Sequence, residues 1–277
     1  MTTTSDQVGT SVGETLRTIL GEESGEIIAV GFDTTSTREL IEKLDESEEP
    51  PKARLLVSED VLKWMRDDFV LASVARELLE ADTLDVRAAT ERVDGAVVVT
   101  EGAVVSLLMP DEEHTAALVT DDAEFVAAAR ERWNALWEDG EEFNLRTPAY
   151  TRVLDSLGEE FSSEMESDFR TVLESIENMD DEDELDEVGV SLLVAAKHEQ
   201  QLYDISRWGE DTGVASKATY SRAKNQLEDQ GLIATEKDPI DVGRPRLRLV
   251  LGDERLWNAD AEELASVARE LLSAAPA

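Results

Sequence analysis

The stretch TGVASKATYSRAKNQL, residues 212–227, is the longest part of the chain without a carboxylate. Aspartate and glutamate make up 64 of the 277 residues, and the formal net charge is −38. A second acid-free stretch, VGRPRLRLVLG, occupies residues 242–252. Together the two stretches contain six cations: Lys217, Arg222, Lys224, Arg244, Arg246 and Arg248. Because phosphate attracts cations and repels carboxylates, this pattern predicts that both stretches contact DNA.

Three short helices are predicted around the first stretch. The first carries an apolar face from Leu185 to Ala196, and Asp204 is the predicted cap of the second, which Gly213 ends. Ser216 then caps a third helix, whose inward face consists of Tyr220, Ala223 and Leu227. Two strands follow, at residues 231–234 and 246–251. In the second strand leucines alternate with arginines, so the leucines face the core and the arginines the open side.

This order of elements resembles the winged helix-turn-helix domain of bacterial and archaeal transcription regulators. The sequence SKATYSRAKNQLEDQGLI and the GRPR at residues 243–246 carry the resemblance. It implies that the third helix enters the major groove, where arginine and asparagine read base edges, while lysines and the wing arginines hold the backbone. The predicted DNA-binding residues are Ser216, Lys217, Thr219, Ser221, Arg222, Lys224, Asn225, Arg244 and Arg246. The alternative is a winged helix used for protein contact.

The spread of acidic residues along the whole chain is typical of proteins from salt-loving archaea. Molar salt shortens the Debye length to about 3 Å, so the net charge would barely repel DNA beyond contact distance. A protein with an acidic partner surface is the alternative. The chain contains no cysteine, which excludes disulfides and thiolate metal sites. The first residues lack signal-peptide features and no apolar run is long enough to span a membrane, so we expect a cytoplasmic protein.

The N-terminal half is predicted to be an α/β domain with a mixed sheet. Buried strands at residues 26–32 and 53–59 are each followed by a helix, an order typical of a parallel sheet. A single long helix is expected between residues 61 and 79. Short strands at 84–88, 95–100, 103–109 and 115–119 then predict an appended meander. An Asp121–Glu124 capping box precedes a helix that carries Trp133 and Trp137.

A long apolar stripe, residues 150–179, is predicted to form one helix of about eight turns after a start at Thr147-Pro148. The stripe could mediate coiled-coil dimerisation, or it could belong to two ordinary helices packed on the first domain; the sequence leaves both alternatives open. The acidic run at residues 180–184 is expected to be a solvated boundary rather than a metal site. A final helix, residues 253–275, either dimerises or packs on its own domain. The predicted domains are 1–146 (α/β), 147–180 (helical linker), 181–252 (winged helix-turn-helix) and 253–277 (C-terminal helix).

A ligand site is predicted at the carboxyl ends of the first two strands, where ligands bind in open α/β sheets. Hydroxyls and helix N-terminal N–H groups there suit a sugar or sugar phosphate, although the same residues could simply cap helices. The predicted residues are Asp33, Thr34, Thr35, Ser36 and Ser58. Trp133 and Trp137 could stack on a sugar or belong to the core. No catalytic motif is present, and neither His114 nor His198 begins a His-x-Lys sequence, so no catalytic residue, metal or cofactor is predicted.

The segments LDVRAAT, DGAVVVTEG and VVSLLMP resemble the non-catalytic phospholipase D-like sensor modules of the archaeal TrmB family, although in that family the DNA-binding domain is usually N-terminal. The order of domains and the acidity resemble haloarchaeal regulators of the TbsP type, connected with sugar metabolism. We therefore expect a homodimeric regulator that binds double-stranded promoter DNA and responds to a sugar or other central metabolite. A winged-helix adaptor that contacts only proteins is the alternative.

Overall fold

The chain divides into two structural units, Met1–Ala149 and Tyr150–Ala277. The computed structural model describes residues 7–22, 25–109, 115–177, 185–238 and 246–274. Four features predicted from the sequence lie outside these ranges: the Pro110-Asp111 turn, the surface position of His114, the acidic run at 180–184, and the wing segment that contains Arg244. Within the described ranges, no helix is long and apolar enough to cross a membrane.

The first unit is built on one mixed sheet. In chain order the elements are β1 Gln7–Thr10, α1 Val12–Glu22, β2 Glu26–Val30, α2 Thr34–Asp45, β3 Lys52–Val57, α3 Glu59–Asp67, α4 Phe69–Glu80, β4 Leu84–Ala88, β5 Ala96–Val99, β6 Val104–Leu108, β7 Thr115–Thr120, α5 Ala123–Asp139 and β8 Glu141–Glu142. The strands have the spatial order β1-β7-β6-β5-β2-β3-β4-β8, and β2, β3 and β4 are parallel whereas all other pairs are antiparallel. The predicted α/β class with a mixed sheet is therefore confirmed for this unit.

The central strand β2 supplies side chains to two separate cores. Ile27 and Ala29 belong to the core formed with α1 to α4, whereas Ile28 and Val30 belong to the core formed with α5. This division follows from the period of two along a strand, which sends alternate side chains to opposite faces. Because both faces of β2 are covered by helices, its residues are apolar without interruption after Glu26.

Two predictions of chain path in this unit were wrong. Leu84–Ala88 is not part of the meander, because it pairs in parallel with β3. The long helix predicted between residues 61 and 79 is two helices. Asp68 separates them: its backbone N–H bonds to Trp64 at the end of α3, and its carboxylate accepts from the backbone N–H of Leu71 at 3.0 Å. A side chain that caps the next helix outweighed a continuous apolar pattern.

Three predicted helix boundaries in this part of the chain also differ from those in the structure. Gly21 does not close α1, which continues to Glu22. The cap of α5 is Asp122 rather than Asp121, since the Asp122 carboxylate accepts from the backbone N–H of Phe125 at 3.0 Å. The helix expected at Thr147-Pro148 begins at Tyr150.

The second unit contains a helix-turn-helix with a β-hairpin, and further helices. In chain order the elements are α6 Tyr150–Glu160, α7 Ser163–Glu177, α8 Glu187–Lys197, α9 Leu202–Thr212, α10 Lys217–Asp229, β9 Ile233–Asp238, β10 Arg246–Leu251, α11 Glu254–Trp257 and α12 Ala261–Ala274. The two strands are antiparallel, and Arg246 and Leu251 pair with Asp238 and Ile233.

The predicted eight-turn helix is broken between Glu160 and Ser163 into α6 and α7. Phe169 of α7 is fully buried and meets Trp208 of α9 edge-to-face, with ring centroids 6.1 Å apart. Helix α7 also packs against α8 and α12. Its apolar stripe is therefore buried inside its own unit. The predicted final helix is likewise two helices, α11 and α12, and α12 packs on this unit.

Candidate nucleic-acid interface

The turn between α9 and α10 fixes the start of the third helix of the motif. Gly213 ends α9 with a φ of 90°, a left-handed conformation that glycine adopts without strain. Ser216 caps α10 as predicted, because its hydroxyl accepts from the backbone N–H of Thr219 at 3.2 Å. The Ser216 and Thr219 hydroxyls also lie 3.0 Å apart. The hydroxyls of these two predicted DNA-binding residues are therefore engaged in the helix start.

The inward face of α10 is anchored by Tyr220, which is fully buried. Its hydroxyl lies 3.1 Å from the hydroxyl of Ser191 on α8. Burial raises the pKa of Tyr220, so the phenol remains neutral. The ring packs so closely on Gly209 of α9 that a Cβ built there would lie 2.2 Å from a ring carbon. Leu227 completes the buried face.

The outward face of α10 consists of exposed side chains. Ser221, Arg222 and Asn225 are all exposed there, as predicted, together with Ala218. In the part of the chain that the structure describes, Arg222 has no ion pair. Its guanidinium is consequently free to bond another acceptor.

Three other cations near this face are already paired with carboxylates, two of them on α10. Lys217 lies 2.6 Å from Glu210, and this bond raises the pKa of Lys217 and lowers that of Glu210. Lys224 is paired with Glu228 at 2.6 Å and its side chain is only 12 % exposed. It lies on the flank of α10 and not on the outer face. The carboxylates that pair with these two lysines, Glu210 and Glu228, thus lie outside the acid-free stretch 212–227 in the sequence.

Arg248 of β10, the third of these cations, is held by two carboxylates. Its guanidinium nitrogens lie 2.5 Å from Glu199 and 2.6 Å from Glu236. Arg246, two residues before it, is exposed and donates to the side-chain carbonyl of Gln201 at 2.9 Å. Arg246 is therefore available to phosphate in a way that Arg248 is not.

A groove of about 400 Å³ lies between α9, α10 and β10. It brings together three of the predicted DNA-binding residues, Lys217, Ser221 and Arg246, which come from two elements. The remaining lining residues were not predicted: Leu202, Tyr203, Ser206 and Leu247.

Tyr203 was missed because the start of α9 was misplaced. The sequence predicted Asp204 as the cap, which would leave Tyr203 outside the helix. Instead α9 begins at Leu202 after Gln201, and Asp204 lies in its first turn. Tyr203 is 54 % exposed, and Arg207, one turn later, lies over its ring with the guanidinium carbon 5.9 Å from the centroid. The opposite helix face, with Ile205 and Trp208 buried, would have indicated this exposure.

Comparison with known proteins identifies both units. Residues 4–148 match the family model of the N-terminal domain of TbsP-like transcriptional regulators, and residues 149–269 match that of their C-terminal HTH domain. The chain belongs to this family. No curated protein sequence matches the regulator.

Three solved structures that are similar to parts of this TbsP-like regulator have identities below 20 %. TrmBL2, described as an archaeal chromatin protein with a novel mode of DNA binding, has 18 % identity and a TM-score of 0.37 over 50 % of this chain and 54 % of its own. This regulator thus spans about half the length of TrmBL2. The phospholipase D family member Nuc from Salmonella typhimurium has 12 % identity and a TM-score of 0.36, over 50 % of this chain and 98 % of its own. NucT from Helicobacter pylori has 10 % identity and a TM-score of 0.35, over 50 % of this chain and 99 % of its own.

The predicted ligand residues of the TbsP-like N-terminal domain lie at one edge of the sheet, since β2 and β3 are adjacent and parallel. Asp33 and Ser58 both cap helices: they accept from the backbone N–H groups of Ser36 at 2.8 Å and Val61 at 3.4 Å. Ser36 is fully buried and its hydroxyl lies 3.4 Å from the sulfur of Met109. Thr34 is half-buried and Thr35 is exposed. Helix capping therefore accounts for two of the five residues.

Trp137 belongs to the core of the same domain. It is 3 % exposed, and the guanidinium carbons of Arg87 and Arg54 lie 4.9 Å and 5.5 Å from its ring centroid. Trp133 is half-buried, and the guanidinium carbon of Arg132 lies 5.3 Å from its ring centroid. The arginine–tryptophan cluster leaves Trp137 no face for a sugar. Among the described residues, no group of three or more acidic, histidine or cysteine side chains could hold a metal ion.

Proposed function

We propose that this TbsP-like regulator binds promoter DNA in a sequence-specific manner through the outward face of α10. The observation that carries the proposal is the contrast between the two faces of this helix. Tyr220 fixes the inner face in the core, whereas Ser221, Arg222 and Asn225 stand exposed on the other. A rigidly held helix with free donors on one side suits reading of base edges in the major groove.

The side chains divide into two roles in this proposal. Arg222 and Asn225 bond base edges, since arginine fits guanine and asparagine fits adenine. Lys217 and Arg246 hold backbone phosphates at the margin of the helix. Lys224 takes no part, because its side chain is largely buried against Glu228.

The test is Arg222→Ala, measured by fluorescence anisotropy on duplexes selected by the wild-type protein from a random pool, in molar KCl. Loss of a bidentate base contact costs about 1–3 kcal/mol, so specific affinity should fall at least about fivefold while binding to random duplex changes little. Arg17→Ala is the matched control, because Arg17 is an exposed helical arginine that forms an ion pair with Glu46 at 3.8 Å. Equal effects of the two variants would refute the role of α10.

Operation in molar salt, as in haloarchaea, is the second part of the proposal. A formal charge of −38 on 277 residues produces strong self-repulsion at low ionic strength. Salt screens that repulsion both within the protein and toward DNA. We expect the melting temperature to rise steadily from about 0.1 to about 3 M KCl; a flat profile would contradict this part.

A sugar or another central metabolite is proposed as the effector of the N-terminal domain. Support comes from the exposed Thr35 beside a helix N-terminus at the carboxyl edge of β2 and β3. A thermal-shift screen of sugars and sugar phosphates should find a stabilising compound, and its effect should disappear in Thr35→Ala. No shift with any compound would remove the support for a sensor.

Homodimeric binding to a pseudo-palindrome is proposed because one helix-turn-helix reads only one half-site. Analytical ultracentrifugation in molar KCl should give a mass near twice 30.6 kDa. Selected duplexes should contain paired half-sites about one helical turn apart. A monomer on a single half-site would contradict the dimer.

A further inference from the structure

The groove between α9, α10 and β10 contains an exposed aromatic ring that the reading of bases does not use. Tyr203 is 54 % exposed, and its ring forms part of a wall whose other apolar members are Leu202 and Leu247. Large exposed apolar side chains beside polar groups commonly mark a contact surface. Tyrosine suits such surfaces because its ring supplies apolar area and its hydroxyl can still form a hydrogen bond.

Cations surround this ring in a chain that has few. Lysine and arginine total 26 against 64 acidic residues, yet Lys217 and Arg246 share the groove with Tyr203. Arg207 lies over the ring, although its guanidinium is also paired with Glu160. Ser206 and Ser221 complete the lining; the Ser206 hydroxyl donates to the backbone carbonyl of Tyr203 at 3.1 Å, whereas Ser221 is exposed. The groove thus combines apolar walls with cationic and hydroxyl groups, and its described lining includes no carboxylate.

A deoxyribose-phosphate chain has the complementary chemistry. Its sugars present C–H groups that can pack on an aromatic ring, and its phosphates accept hydrogen bonds from cations and hydroxyls. Lys217 and Ser221 belong to both the groove and α10. A DNA strand beside the major groove occupied by α10 would therefore continue into the groove. An acidic peptide would satisfy the cations, but this continuity with the reading helix favours DNA.

We propose that the groove binds one segment of the DNA backbone and that Tyr203 positions α10 by packing on a deoxyribose, an inference that rests on the proposed DNA-binding function. Arg246 and Lys217 hold the adjoining phosphates. Lys217 exchanges Glu210 for phosphate, and Arg207 can exchange Glu160 in the same way. This contact carries no sequence information, so it contributes equally to specific and non-specific binding.

The first experiment compares Tyr203→Ala with Tyr203→Phe on selected and random duplexes in the full-length protein. We expect Tyr203→Ala to weaken both by a similar factor, about tenfold, and Tyr203→Phe to retain most of the affinity. The control is Phe125→Ala, since Phe125 is 56 % exposed on α5 of the other unit. Unchanged DNA affinity in Tyr203→Ala, with wild type still binding, overturns the inference alone. Failure of the wild type to bind any duplex overturns the proposed function with it.

A second experiment does not depend on loss of affinity. Since the chain has no cysteine, Tyr203→Cys offers a single attachment point for a DNA-cleaving iron chelate. We expect backbone cleavage confined to positions that flank each selected half-site, and none from Phe125→Cys. Cleavage scattered along the duplex would overturn the inference. The inference would also be overturned if Tyr203→Ala abolished binding of poly-glutamate but left DNA affinity unchanged, because the groove would then be a peptide site.

Discussion

Gly209→Ala tests the contact that sets the position of α10. A Cβ at this position would lie 2.2, 2.4 and 2.5 Å from three atoms of the Tyr220 side chain, its Cε2, Oη and Cζ. Optimal separation is about 3.5 Å or more, so the ring must retreat by about 1 Å or more. Tyr220 is fully buried and hydrogen bonded to Ser191, so the ring has no free space to enter.

The magnitude follows from two opposing effects. Overpacking a buried site costs about 1–3 kcal/mol, and a 2.2 Å approach to a fixed ring places Gly209→Ala toward the upper end. Alanine in a helix recovers about 1 kcal/mol relative to glycine. We therefore expect a net loss of about 2 kcal/mol, or roughly 4–8 °C in the melting temperature of the second unit.

The assay is differential scanning calorimetry in molar KCl, supplemented by DNA binding. Gly21→Ala is the matched control: Gly21 is also helical, a Cβ added to it would have no neighbouring atom within 4 Å, and the variant should gain about 0.5–1 kcal/mol. The double variant Gly209→Ala with Tyr220→Leu should cost less than the sum of its parts, because leucine vacates the ring position. Equal and favourable effects of both glycine replacements would refute the reasoning.

The remaining predictions concern two carboxyl groups. Burial raises the pKa of Glu187 to about 7, whereas the pKa of an ordinary glutamate is 4.5. The folding stability that the bound proton contributes is therefore fully present below pH 4.5 and is lost as the pH rises through 7. Glu187→Gln should therefore stabilise the protein at about pH 8, by up to about 3 kcal/mol, and have little effect near pH 4.5 in denaturant titrations; a pH-independent effect would contradict this. Glu210→Gln releases Lys217, so DNA affinity should rise and the slope of log K against log salt should steepen by up to about 0.9. An unchanged slope would show that Lys217 does not reach phosphate.

Local chemistry in the sequence was sufficient to predict the start and the buried face of α10. Ser216 is a cap residue, and Tyr220 and Leu227 recur at helical spacing, so the start and the buried face of α10 both followed from short-range rules. The alternation in β10 was equally informative, because Leu249 and Leu251 are buried as a period of two requires, while Leu247 on the same face is half-buried.

Errors arose where two local signals competed or where pairing was non-local. At Asp68 an apolar pattern continued across a residue that caps the next helix, so one predicted helix became two. Leu84–Ala88 has the length and turns of a hairpin strand, yet it pairs in parallel with β3 across a helical connection. Strand partners depend on the chain path in space, which alternation within one strand does not encode.

The sequence by itself determined that two stretches without carboxylates, residues 212–227 and 242–252, contribute to a helix and a strand of an acidic chain, because charge, capping and periodicity are properties of neighbouring residues. Only the tertiary structure decided which cations remain free. Lys217, Lys224 and Arg248 have carboxylate partners, whereas Arg222 and Arg246 have none among the described residues. Three of these partners, Glu210, Glu199 and Glu236, lie outside the element of the cation with which they pair. The reason is physical: a salt bridge depends on distance in space, and folding brings Glu210, Glu199 and Glu236 to cations from which the sequence separates them.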